Sequence, residues 1–156
     1  DIGFIGEDLE HPEIVTRQIM DDEIFLIASS DNDMIGRQKF VGLDKLGGRN
    51  FIMREKGSAT RRSVEKVLAE KGISIDVTME LDNPEAVKRA VMEGLGLSFV
   101  SGLAVRNEIE EGKLRALRIK GVRITRPLNQ IHRKGRRFSR ATEAFLAMLK
   151  EQDFGP

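Results

Sequence analysis

The chain has 156 residues, 40% hydrophobic and 33% charged, a mixture that suits one globular domain or two small lobes and excludes a disordered chain. It contains no Cys, no Trp, no Tyr and only two histidines, His11 and His132, which removes disulfides and thiol chemistry and argues against a His-built metal centre or proton shuttle. The net charge of +1 joins opposite halves, 14 Lys/Arg against 22 Asp/Glu over residues 1–111 and 12 against 3 over 112–156, and no apolar run approaches the ~20 residues of a membrane span.

In chain order, Asp1–Gly6 reads as a short buried strand ending in a Gly turn. The chain opens inside that apolar stretch, with neither an initiator Met nor a signal peptide, and reads as a fragment of something longer. Ile24–Ala28 is a continuous apolar run, expected for a strand covered on both faces, and the polar cluster Ser29–Asp33 is a connection. Leu43–Leu46 forms one helical turn stopped by Gly47-Gly48, and Phe51–Met53 is a strand. A helix starts near Ser58–Thr60, carries Val64, Val67 and Leu68 on one face, and stops at Gly72. Ile75–Leu81 is a strand. Asn83-Pro84 then opens a helix with the stripe Ala86, Val87, Ala90 and Val91, ended by Gly94. Leu97–Val100 is a strand, followed by a short helix to Glu111. Leu114–Ile119 and Val122–Ile124 are strands, and Ser139 caps a last helix with Ala141, Ala144, Phe145, Met148 and Leu149 inside. Strands alternating with helices predict an α/β fold with a largely parallel sheet.

The most informative constellation is Phe51–Arg54, then Gly57-Ser-Ala-Thr-Arg61 and a helix. A strand, a Gly loop and a helix start bring unpaired backbone N–H groups to one point, where the helix dipole favours negative charge. Ser58 and Thr60 add hydroxyls, and Arg54 and Arg61 add positive charge. The pattern suits a carboxylate or an inorganic oxyanion. It is equally the pattern of an ordinary Ser or Thr cap. It is not a nucleotide P-loop, because no Gly-Lys-Ser/Thr follows. Asn83 and Ser101 stand at strand–helix junctions of the same kind, where open α/β sheets bind ligands. Asp21-Asp22 and Glu110-Glu111 are adjacent pairs that share no face, so no acid–base set emerges, and no enzyme activity or cofactor is expected. No acidic residue separates Glu111 from Glu143. The alternating apolar residues of that tract favour a solvated, outward-facing set of cations over a nucleic-acid interface.

Several pieces resemble, in order, the effector-binding domain of LysR-type transcriptional regulators. Asp1–Ile5 is similar to that family's "DLGLV" strand, and Phe51–Arg61 (FIMREKGSATR) to its "FILREPGSGTR". Glu80–Val91 resembles "E-x-x-S-x-E-A-I-K-x-A-V", and Gly94–Ser101 (GLGLSFVS) resembles "GLGIALLS". Gly112–Leu114, Arg126–Leu128 and Ser139–Leu149 complete a match over nearly the whole chain. Ala59 stands where Gly is usual, Asn83 where Ser is usual, and Lys56-Gly57 replaces a frequent Pro-Gly.

The resemblance implies a two-lobed fold like the periplasmic binding proteins, with a small anionic effector in the interlobe cleft. Lobe II would span about 31–120. Roughly the first quarter of the effector domain, with the first two strands and helices of lobe I, would be missing from this chain, and lobe I would keep 1–30 and 121–156. The ligand set would be Ser58, Thr60, Asn83, Ser101 and Arg61, with Arg61 at risk of pointing to solvent from the first turn of its helix. The implied protein is cytoplasmic. It would be a homo-oligomer, and it would bind DNA through a winged helix-turn-helix that this chain lacks. No sequence-specific DNA binding is then expected of this chain itself, and no membrane contact. The alternative is the solute-binding protein of a transporter, which shares the fold class. Apolar surface around Ile2, Phe4 and Ile24–Leu26 is expected to lie uncovered and to drive self-association.

Overall fold

The computed structural model describes residues 2–32 and 38–151. Asp1 and Asp33, assigned above to a strand and a connection, lie outside them. The strands are β1 (Gly3–Ile5), β2 (Ile14–Ser29), β3 (Phe40–Val41), β4 (Asn50–Arg54), β5 (Asp76–Leu81), β6 (Ser98–Ser101), β7 (Leu114–Ile119) and β8 (Ile124–Arg133). The helices are α1 (Ala59–Glu70), α2 (Pro84–Met92), α3 (Gly102–Glu110) and α4 (Arg140–Glu151), with a 3-10 turn at Leu43–Lys45. The chain forms two compact units, Asp1–Asp21 with Arg126–Pro156, and Asp22–Thr125. The first boundary between these units falls before Ile24, since Ile24–Ser29 pairs with β6 and β7 inside the second unit.

In the second unit β5 and β4 are parallel. β4 joins β6 through the parallel bridge Phe51↔Leu97, with Ile52 N–H donating to Leu97 O at 2.8 Å and Leu97 N–H to Asn50 O at 2.9 Å. Gly96 permits this approach, since a Cβ there would lie 2.6 Å from Asn50 O. β2 runs antiparallel to β6 and β7, and β3 lies parallel to β7. The strand order is therefore β5-β4-β6-β2-β7-β3, with β2 alone reversed. Alternation along β2 sorts the core. Ile24, Leu26 and Ala28 face a cluster with Phe51, Phe99, Leu117 and the α1 residues Val64 and Leu68. Ile27 faces the other side, with Ile52, Val100, the α2 residues Val87 and Val91, and Val105 of α3. α1 thus covers one face, and α2 with α3 the other. Ile24 and Leu26 are only 4% and 1% exposed, so the expectation that they form uncovered surface is corrected: the second unit buries them.

Lys88 of α2 is also buried. Its Nζ donates to Ala104 O and Glu108 Oε1, both at 2.7 Å, and pairs with Glu85 Oε1 at 2.7 Å. The ammonium fastens α2 to α3.

In the first unit β1 is antiparallel to β8, with Ile5 opposite Asn129, and β8 lies between β1 and β2. The short strand expected at Val122–Ile124 is corrected: the strand starts at Ile124 and runs through Pro127 to Arg133. Pro127 is compatible with it because β1 pairs only with Asn129–Ile131, so no β1–β8 ladder bond needs an N–H at 127. Asn129 is buried and donates from Nδ2 to Glu7 O at 2.7 Å. Phe145 of α4 meets Phe4 edge-on at 6.3 Å. Among the described residues no apolar side chain of this unit is fully buried, and Phe4 stays 45% exposed.

Candidate functional site

Because β4, β5 and β6 are parallel, the three helices that follow them start from one edge of the sheet. Ser58, Asn83 and Ser101 are the residues at those starts. Neighbouring strands lie about 4.8 Å apart, so the three junctions form a row across adjacent strand ends. The sequence reading grouped these residues, and the topology places them along one edge.

Their hydrogen bonding differs. Asn83 Oδ1 accepts from Glu85 N–H at 2.8 Å, a regular cap on a helix that opens with Pro84. Ser101 Oγ accepts from Leu103 N–H at 3.2 Å and donates to Asp22 Oδ1 at 2.8 Å. Its single hydroxyl hydrogen is thus directed at a buried carboxylate. Ser58 makes no side-chain capping bond, although its φ/ψ of −63°/131° is that of a cap residue. Thr60, two residues on, is buried beside it in sequence. Of the three junctions, Ser58 alone leaves its hydroxyl uncommitted to the helix that it starts.

The Ser58 loop is held from both sides. Arg54 donates from Nε and Nη2 to the Glu55 carboxylate at 2.8 and 2.9 Å. Gly57 takes a φ of 105°, a conformation costly for any residue with a Cβ. Ser58 N–H returns to Glu55 O at 3.1 Å. Arg61, which the sequence reading put in the ligand set and at risk of facing solvent, is 6% exposed and turned inward. Its Nε donates to Glu65 Oε1 at 2.7 Å, and its Nη1 donates to Arg54 O at 2.7 Å and Glu80 Oε2 at 2.5 Å. One side chain therefore ties the first turn of α1 to the ends of β4 and β5. The Glu65 hydrogen bond raises the pKa of Arg61, and the Arg61 hydrogen bond holds the Glu80 carboxyl below its ordinary value. Hydrogen bonding from Arg54 does the same for Glu55. Sequence reasoning missed Glu80 and Asp22. Each meets its partner only through strand register, Glu80 opposite Met53 and Ile24 opposite Ser101, and no local spacing announces either.

This network has a measurable strength. Both carboxylate partners of Arg61 are about half exposed, so solvent screens part of the interaction. Arg61→Met should lower unfolding free energy by about 2 kcal/mol, within the range for hydrogen bonds to charged groups. Urea denaturation checks this, and a loss under about 0.5 kcal/mol, the scale of an inert surface change, would mean that the clasp is idle.

Among the described residues no group of three or more potential metal ligands converges, and no helix is long and apolar enough to cross a membrane. The row of helix starts is suited to holding a small polar group by hydroxyl and backbone donors. A family model of the LysR substrate binding domain matches residues 1–153. The chain belongs to that family. This LysR substrate-binding domain is 34% identical over 145 residues to a RuBisCO operon transcriptional regulator of Allochromatium vinosum, covering 93% of this chain and 48% of the relative. It is 31% identical over 153 residues to the HTH-type transcriptional activator CmpR of Synechocystis, covering 98% and 50%. The LysR domain thus spans about half the length of the curated relatives that it matches. Among solved structures it resembles the CcmR regulatory domain of Synechocystis in complex with 2-PG, with a TM-score of 0.83 and 29% identity over 96% of this chain and 71% of that one. LysR regulatory domains have the two-lobed periplasmic-binding-protein-like fold, and this chain shares their mixed α/β architecture.

Proposed function

We propose that this chain is the effector-sensing part of a bacterial LysR-type transcription factor, and that its effector is a small anion, a carboxylate metabolite or an inorganic oxyanion, received at the Ser58–Thr60 helix start. The unit Asp22–Thr125 then serves as lobe II, and the remainder as lobe I. The observation that carries the reading is the Ser58 hydroxyl, which leaves its own helix uncapped while Asn83 and Ser101 cap theirs. Ser58 and Thr60 donate to the anion, and nearby backbone N–H groups complete its shell. Asn83 and Ser101 line the same edge, Ser101 as an acceptor because its hydrogen serves Asp22. Arg61 acts from behind by holding the loop. The similar domain with bound 2-PG supports a small-molecule effector here.

The intact factor is cytoplasmic and oligomeric, and it reads DNA through a helix-turn-helix outside this chain. The named relatives are transcriptional regulators, which favours this reading over a transporter's solute-binding protein and over an enzyme. The test is titration with 2-PG as first probe, comparing the chain with Ser58→Ala and Thr60→Ala. A hydrogen bond to a charged group contributes about 1.5–3 kcal/mol, so each variant should raise the midpoint roughly tenfold or more. Unchanged midpoints for both would reduce this helix start to a bare helix terminus and sink the assignment.

A further inference from the structure

The tract between Glu111 and Glu143 does not form one surface. Its first cations are absorbed by the second unit. Arg115 donates to Ser30 O and Asn32 O, and Arg118 forms a two-point pair with Glu23 while its guanidinium lies 5.3 Å from the centre of the Phe25 ring. The end of the tract, in the first unit, is arranged differently.

β8 finishes at Arg133, and Lys134-Gly135 turns the chain tightly, with a φ of 72° at Gly135 and Arg136 N–H donating to Arg133 O at 3.2 Å. The turn is pinned by Lys134 N–H donating to Glu13 O at 2.7 Å. The following segment is held by Phe138, whose ring meets His132 edge-on at 5.1 Å. On this frame Arg133, Lys134, Arg136, Arg137 and Arg140 place five cations on eight residues, and all five are exposed. Arg133 itself lies 3.5 Å from the Glu13 carboxylate. The backbone is fastened from two sides while the charged residues stay exposed.

We infer that this turn, residues 133–140, is a contact surface for the phosphate backbone of duplex DNA. Exposed, closely spaced cations on a turn suit a regular polyanion better than a single small anion, which needs a concave site. The ring nearest them is held against His132, leaving no exposed aromatic in the turn to enter a lipid surface. Four of the five are arginines, whose planar forks match phosphate oxygens. Such contacts position a protein on DNA and carry no sequence information. This surface and the proposed effector site belong to different units, and neither reading depends on the other.

The experiment is binding of the chain to two unrelated duplexes of about 25 base pairs, by fluorescence anisotropy from 20 to 200 mM salt. Three to four phosphate contacts predict a log–log salt slope of about −3, so affinity falls roughly a thousandfold across that tenfold range. Lys134→Gln/Arg137→Gln/Arg140→Gln should bring the slope nearer zero by about 2.7, at 0.9 per lost contact. A control with equal charge loss in the second unit, Lys39→Gln/Lys120→Gln/Arg123→Gln, should leave it within error. Equal affinity for the two duplexes is expected. The inference is overturned by any of four results: no binding at 20 mM salt, an equal effect of the control, a strong preference for one duplex, or tighter binding to phosphatidylserine vesicles than to DNA.

Discussion

Phe51→Ala should destabilise the second unit by about 4 kcal/mol, within the range for deleting a buried aromatic ring. Phe51 is fully buried, and its ring stacks on Phe99 at 5.8 Å with the planes 10° apart. Its backbone sits where β4 meets both β5 and β6, at Val77 and Leu97. A cavity there removes packing from α1 as well, since Val64 and Leu68 share the same cluster. Against a typical stability of about 5–15 kcal/mol this is a large share. Phe4→Ala is the contrast. It removes the same ring from a position 45% exposed, and should cost no more than about 1 kcal/mol. Urea denaturation of the two variants, followed by a probe in the second unit, reads both numbers. Equal losses would contradict the placement of the core in that unit.

Lys88→Met is the second large effect, at about 3 kcal/mol, because it strands a carboxylate. Glu108 is mostly buried, its Oε2 has no hydrogen-bond partner, and Lys88 supplies the charge opposite Oε1. Glu85 lies mostly in solvent and reverts to water without penalty. Lys88→Met/Glu108→Leu removes both charges and should recover most of the loss, the behaviour of buried pairs replaced by apolar side chains. The pH dependence carries the same signature at both ends. The hydrogen bond from Lys88 holds Glu108 below its ordinary pKa, so its contribution is present above the unfolded value, near pH ~4.3, and fades as pH falls through the folded one. Burial pushes the Lys88 pKa down, but hydrogen bonds to Glu108 and Glu85 more than reverse this and leave it raised. Its contribution is therefore complete below the unfolded value, near pH ~10.4, and is lost as pH rises through the folded one. A stability profile for the double variant flatter than wild type at both ends is the expected result. A profile parallel to wild type would show that the pair contributes nothing.

The helices were legible because period and punctuation agree. Val64 and Leu68 mark the inner face of α1 and Gly72 its end, and Asn83-Pro84 opens α2 as capping chemistry requires. The Ser58 loop was legible for the same local reason. Two strands were not. Residues 14–23 of β2 alternate weakly and expose Arg17, Gln18 and Asp21, and β8 contains Pro127 and cationic residues. Their extent is set by partners far away in the chain, not by their own composition. The same limit hid the second half of the site. Arg61 and Glu80 are 19 residues apart, and Lys88 and Glu108 are 20 apart. A charged residue beside an apolar stripe looks solvated until the opposite element is known.

The pairing of β1 with β8 has a consequence during synthesis. Ile5 must wait for Asn129, its partner, while the whole of the second unit is made between them. At about 5–20 residues per second that delay is roughly 6–25 s, long compared with the time that hairpins or helices take to form. The second unit is continuous in sequence and leaves the ribosome ahead of Asn129. Over that interval the apolar strand Gly3–Ile5 is a nascent edge without its mate, open to chaperones or to the same segment on a neighbouring polysome chain.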